Sequence, residues 1–111
     1  MKYKHYAPNK KCVLVTGNDN EQINKINKLS KIKKIGVVGF SEHKEKIKVD
    51  NYLEIGKKNN LDEISRNMFR ILRKVDYIDK VELIAIEAVE EKGLGLAILN
   101  RLIRACEYNV I

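Results

Sequence analysis

Short, continuously apolar runs alternate along this chain with longer segments whose apolar residues recur at helical spacing. Cys12-Val13-Leu14-Val15-Thr16 is apolar at all but its last position and is closed by Gly17. A run of that length without polar alternation predicts a strand covered on both faces, as in a parallel sheet. Asn18-Asp19-Asn20 predicts a helix start, with Asp19 as the cap and Gln22 reaching back from three positions on. From about Glu21 to Lys33, Ile23, Ile26, Leu29 and Ile32 recur at every third residue, a stripe that drifts around the helix. Ile35-Gly36-Val37-Val38-Gly39-Phe40 predicts a second, β-branched strand. Ser41 to Lys48 reads as a charged loop or short surface helix, and Tyr52-Leu53-Glu54-Ile55, inside Val49 to Gly56, as a short third strand.

The clearest helix follows. Asn60 can cap it with Glu63 as the returning partner, and Leu61, Ile64, Met68, Leu72 and Val75 form one unbroken stripe, with Arg66, Arg70 and Arg73 projecting elsewhere. Val81 to Ile86 reads as the last strand. Leu94 to Glu107 reads as a helix whose narrow polar arc, Asn100, Arg101, Arg104 and Glu107, leaves the rest apolar, as for a helix packed on a sheet and against a further surface. The order β-α-β-(β)-α-β-α predicts an α/β fold: a small Rossmann-like three-layer domain with a mainly parallel sheet of about four strands and right-handed crossovers. The division expected is an arm over residues 1–10 and this domain over 11–111. At 111 residues there is room for one hydrophobic core.

Composition narrows the class. Apolar content of 44% with 33% charged residues fits a globular chain rather than a disordered one. No apolar run nears the roughly 18 residues of a membrane span, and no apolar stretch follows the basic start as in a secretory leader. Cys12 and Cys106 lie in or beside apolar runs and read as buried thiols in a reducing cytoplasm. The net charge of +7 is unevenly placed: residues 1–48 hold twelve lysines against four carboxylates, residues 49–111 ten basic against eleven acidic groups. A basic half attracts RNA or nucleotide phosphates; lysine alternating with isoleucine along a helix is also an ordinary solvated face, and both readings stay open.

Candidate chemistry is sparse. Gly93-Leu94-Gly95 opens a helix after a strand, where a phosphate loop sits, but position 98 is Ile98 rather than a third glycine, and Glu90 and Glu91 would repel a phosphate. A flexible turn that lets the helix pack closely is the plainer reading. Glu87, Glu90 and Glu91 lie beyond a strand's carboxyl end, where open α/β sheets place ligands; without a partner histidine they read as solvated loop acids. Neither His5 nor His43 has metal-ligand spacing. No nucleophile–base pattern stands out, so catalysis by this chain alone is not expected.

The first eight residues, MKYKHYAP, differ from all this. Lysines alternate with tyrosine and histidine rings, and Pro8 biases Ala7 toward extended backbone. Such a segment is either a frayed terminus or an arm whose cations and ring faces meet an anionic partner. KYKHYAP closely resembles the interdomain linker of the two-domain threonylcarbamoyladenylate (threonylcarbamoyl-AMP) synthases. Ser65 to Arg73, SRNMFRILR, resembles that family's RNLF-x-x-LR helix, and Gly93 to Leu102, GLGLAILNRL, its GLGLAIMNRL helix. In this family a YrdC-like catalytic domain condenses ATP, threonine and bicarbonate into threonylcarbamoyl-AMP and pyrophosphate, for modification of an adenosine beside the tRNA anticodon.

The resemblance implies an accessory domain partnered in cis or in trans by a YrdC-like catalytic domain. It also implies an active-site gate made by Lys2, Tyr3, Lys4, His5, Tyr6 and Pro8. Lys4 stands where arginine is commoner and lacks the bidentate fork. ATP and Mg are implied for the complete synthase, and no cofactor for this chain. A docking face is expected around Arg66, Asn67, Arg73, Gly93, Gly95, Asn100 and Arg101, which could pair two copies when no catalytic domain covers it. The alternative is a tRNA- or nucleotide-binding module using the lysine-rich first half.

Overall fold

The structure, a computed structural model, describes residues 8–111. Four strands, β1 (Cys12–Val15), β2 (Ile35–Phe40), β3 (Asn51–Gly56) and β4 (Leu83–Glu87), and three helices, α1 (Asp19–Ile32), α2 (Leu61–Lys74) and α3 (Leu94–Ala105), follow the predicted alternation. The strands make one sheet in the order β1-β4-β2-β3, every pairing parallel. The strand last in sequence is thus inserted between the first two. The chain end adds a short parallel edge: the Leu14 N–H donates to Asn109 O (2.9 Å) and the Ile111 N–H to Leu14 O (2.9 Å).

β1, β2 and β4 are covered on both faces, and their residues alternate between two cores, whereas the edge strand β3 is only part-buried. Leu14, Val38, Phe40, Ile84 and Ile86 point into the larger core, closed by Ile64, Met68 and Leu72 of α2 and Ile98 and Leu102 of α3. Val13, Val15, Val37 and Ala85 point the other way, where α1 covers them with Ile26. The three-layer reading therefore holds, with one helix on one face and two on the other.

Two local expectations change. The cap of α1 is Asn18 rather than Asp19: its side chain accepts the Glu21 N–H (2.9 Å) while the Glu21 carboxylate accepts the Asn18 N–H (2.8 Å), a reciprocal capping box one residue earlier than read. Gln22 is thereby freed. It is buried, and its Nε2 donates to Val15 O (3.1 Å) and Ala88 O (2.9 Å), stitching α1 to the ends of β1 and β4. The every-third-residue stripe slips about 60° backward per step on a 3.6-residue helix, and its last member, Ile32, stands 76% exposed while Ile26 is fully buried.

Met68 is 1% exposed in the α2 stripe, so Met68→Ala should lower unfolding free energy by about 2–5 kcal/mol. Ile32→Ala should change it by no more than about 0.5 kcal/mol. Urea titrations of the two variants check the contrast.

Candidate functional site

In a parallel sheet the segments leaving the strands all gather at one edge and those entering them at the other. At the carboxyl edge, β1 leads through Gly17 to the start of α1, β2 ends in a one-turn 3₁₀ segment (Ser41–His43), and β4 ends at Glu87. These three places meet. His43, 2% exposed, puts Nδ1 2.6 Å from Glu87 Oε2 and Nε2 2.9 Å from Asp19 Oδ1, and Lys58 Nζ lies 2.6 Å from the same Asp19 oxygen. Glu87 is not the solvated loop acid its sequence position suggested. It is the last residue of β4, 1% exposed, and its Oε1 accepts the Phe40 N–H at 2.9 Å. The His43 ring stands edge-on to Phe40, and the Tyr52 hydroxyl donates to the Phe40 carbonyl (2.6 Å), closing the site from β3.

Burial governs the electrostatics here. Loss of water pushes the Glu87 carboxyl above its ordinary value, and the hydrogen bonds from Phe40 and His43 pull it back only in part. Asp19, near the surface, is held below its ordinary value chiefly by the hydrogen bond from Lys58, with His43 adding to it. Tyr52 is pushed up by its own burial and by the Glu87 charge. Two ring nitrogens each face a carboxylate oxygen, and each contact needs a proton between the heavy atoms. A neutral imidazole supplies one, so the cluster holds one more proton than a neutral histidine beside two carboxylates.

Next to this cluster a cavity of about 250 Å³ opens between Thr16, Gly17, Lys58, Glu90, Glu91 and Leu99. It does not suit a nucleotide phosphate. The α1 N-terminus is occupied by its own Asn18 and Glu21, and two further carboxylates line the mouth. Among the described residues, no group of three or more His, Cys, Asp and Glu is placed to hold a metal ion. Cys12 and Cys106 are buried free thiols, and the Cys106 thiol is pushed up by the neighbouring Cys12 and by burial.

Of the expected docking residues, Arg101 lies with its guanidinium 5.0 Å from the Phe69 ring centre, and the two line a groove of about 280 Å³ with Leu72 and Arg104. Arg66, Arg73 and Asn100 are exposed. Asn67 is turned inward, its amide donating to Ile55 O (2.9 Å). Gly93 takes φ +53°, a conformation that favours glycine, and Gly95 is buried where a Cβ would strike the Glu90 carbonyl oxygen. Both glycines thus shape the α3 turn at the carboxyl edge, away from the Arg101 groove. Of the expected gate, Lys2, Tyr3, Lys4, His5 and Tyr6 lie outside the described residues, and Pro8 is half-buried. The Asp76 carboxylate, just past α2, accepts the N–H groups of Asn9 (2.8 Å) and Lys10 (3.2 Å).

Asp19, His43 and Glu87 went unrecognised as a unit because they are 24 and 44 residues apart on three elements, with no motif spacing. One trace was readable: Glu87 directly continues a fully apolar run, so a carboxylate there needs a buried partner.

The class of protein defined by this arrangement is a small, all-parallel, two-sided α/β domain. The family described as "Threonylcarbamoyl-AMP synthase, C-terminal domain" matches residues 1–106, and the chain belongs to it. It is 39% identical to the threonylcarbamoyl-AMP synthase of Pyrococcus abyssi and 30% identical to that of Bacillus subtilis, in each case along the whole of this chain and 32% of the relative. The chain therefore spans about a third of the length of the curated relatives it matches. Among solved structures, P. abyssi Sua5 complexed with L-threonine superimposes with a TM-score of 0.81 at 39% identity, covering 100% of this chain and 32% of that one. The C-terminal Sua5 domain of a hypothetical Pyrococcus horikoshii protein gives 0.70 at 33% identity, covering 95% of this chain and 98% of that one.

The cluster predicts a direction of pH dependence. A carboxyl whose value is raised by folding contributes stability in full below its unfolded value, and loses it as pH rises through the folded one. Glu87→Gln keeps the acceptor for Phe40 and gives His43 Nδ1 a donor, so it removes that loss. As pH rises above the ordinary carboxylate range, the melting temperature of the unaltered chain should fall more than that of Glu87→Gln. Parallel slopes in thermal melts would refute the extra-proton reading.

Proposed function

We propose that this chain is an accessory domain of threonylcarbamoyl-AMP synthase, working in the cytoplasm with a YrdC-like catalytic domain in cis or in trans. In this reading the catalytic domain binds ATP, Mg, threonine and bicarbonate, and forms threonylcarbamoyl-AMP with release of pyrophosphate, for modification of tRNA. This chain supplies the gate: Lys2, Lys4, Tyr3, His5 and Tyr6 carry the cations and rings that suit a cover over an anionic substrate.

The observation that carries the reading is the Asp76 clamp. Two consecutive backbone N–H groups, of Asn9 and Lys10, end on one carboxylate immediately before β1. An arm that is to cover a site reproducibly must start from a fixed point and direction, and this contact supplies both. The Phe69–Arg101 groove is the face on which the catalytic domain docks, since it joins exposed aromatic surface to two arginines. Without that domain, two copies pair through the same face.

Pyrophosphate release from ATP, threonine and bicarbonate tests this. A YrdC-like protein from the same source is assayed alone, with this chain, and with its Asp76→Ala variant. Activity should rise in the mixture, and Asp76→Ala should remove most of the rise, by up to about 100-fold if the arm is misplaced by an ångström. No effect of mixing overturns the reading in trans.

A further inference from the structure

The opposite, amino edge of the sheet carries a cavity that none of this uses. It has a volume of about 360 Å³ and lies between the end of α1, the start of β2, the approach to β3 and the turn before β4. Three separate segments bring four lysines to it: Lys33 and Lys34 side by side, Lys48, and Lys80. Asp50 and Asp79 also line it, leaving two cations in excess. Among the described residues none of these six groups is ion-paired, although both signs share one concavity; Lys48 Nζ makes a single 3.4 Å bond to the Glu45 carbonyl. Unpaired cations around a hollow concentrate its field on whatever enters.

Two further features point to the kind of ligand. Lys80 is held at φ +63°, a left-handed backbone that asparagine or glycine adopts more readily, so the tight turn carries a lysine against local preference. Three residues earlier Tyr77 stands 85% exposed, and beside Lys33 stands the exposed Ile32. Ammonium groups around a hollow suit phosphate oxygens, and an exposed ring three residues along the chain from Lys80 suits a nucleobase. A cavity of this size admits one or two phosphodiester groups and no duplex. We infer that the amino-edge cavity is a phosphate site for single-stranded RNA, with a neighbouring base stacked on Tyr77. The inference uses neither the gate nor the docking groove and stands apart from the synthase reading.

The test is fluorescence anisotropy of a labelled single-stranded RNA of about ten nucleotides, a length of the order of one small module's site. The whole chain is compared with Lys33→Glu/Lys34→Glu/Lys80→Glu, Tyr77→Ala and Asp50→Asn/Asp79→Asn at several salt concentrations, with thermal melts to confirm folding. The arm lysines are present throughout, so they cannot produce a difference. Binding should weaken with salt by a slope of about −0.7 per phosphate neutralised. The triple reversal should weaken binding about tenfold or more and flatten that slope by about one, as loss of one or two phosphate contacts requires. Tyr77→Ala should weaken it about fivefold with the slope unchanged, and Asp50→Asn/Asp79→Asn should tighten it. Should the triple variant fail to fold, the neutralised aspartates still decide. RNA binding that is absent, or equal in all variants, overturns the inference. Binding of inorganic pyrophosphate without RNA overturns it in favour of a small phosphate ligand.

Discussion

Most of this structure follows from the place of β4. It is bonded along both edges, to β1 and β2, and covered on both faces, so Ile84, Ala85 and Ile86 have no contact with solvent. Such a strand admits only apolar side chains, sorted alternately into the two cores. It also carries its last residue into the interior. Glu87 is a charge at the end of a dry strand, and burying it unpaired would be prohibitive. The Phe40 N–H, His43 and, through His43, Asp19 and Lys58 are the compensation. The loops of the carboxyl edge are held together by the need to satisfy one buried acid.

Parallelism also separates two chemistries. The carboxyl edge gathers Asp19, Glu87, Glu90 and Glu91, with the first turn of α1 closed by its own capping box. The amino edge gathers Lys33, Lys34, Lys48 and Lys80, with Asp50 and Asp79 among them, and Asp76 there accepts the Asn9 N–H. The two ends of one small sheet are thus unlike: at one, carboxylates are paired with His43 and Lys58 and the helix start is self-capped, and at the other lysines outnumber aspartates around a hollow.

Much of the fold was legible beforehand. The stripe from Leu61 to Val75 and the apolar runs at Cys12, Ile35 and Leu83 specify their elements locally, since periodicity reflects which side is buried. Errors arose where local rules compete. Asp19 and Asn18 are both good caps, and the box closes from Asn18 because Glu21 can return to it, leaving Asp19 for His43 and Lys58. The docking residues read from the family motifs were less cohesive: Asn67 and Gly95 serve internal packing, while Arg101 meets Phe69 across two helices.

By itself the sequence determined the α/β class, the number and order of elements, the membership implied by three motifs, and the excess of lysine in the first half. These are properties of neighbours along the chain. The insertion of β4 between β1 and β2, the meeting of Asp19, His43 and Glu87, and the collection of lysines from three segments around one hollow were decided by tertiary structure alone. Strand order is set by which pairing buries most apolar surface over the whole domain, and no short window of residues carries that quantity.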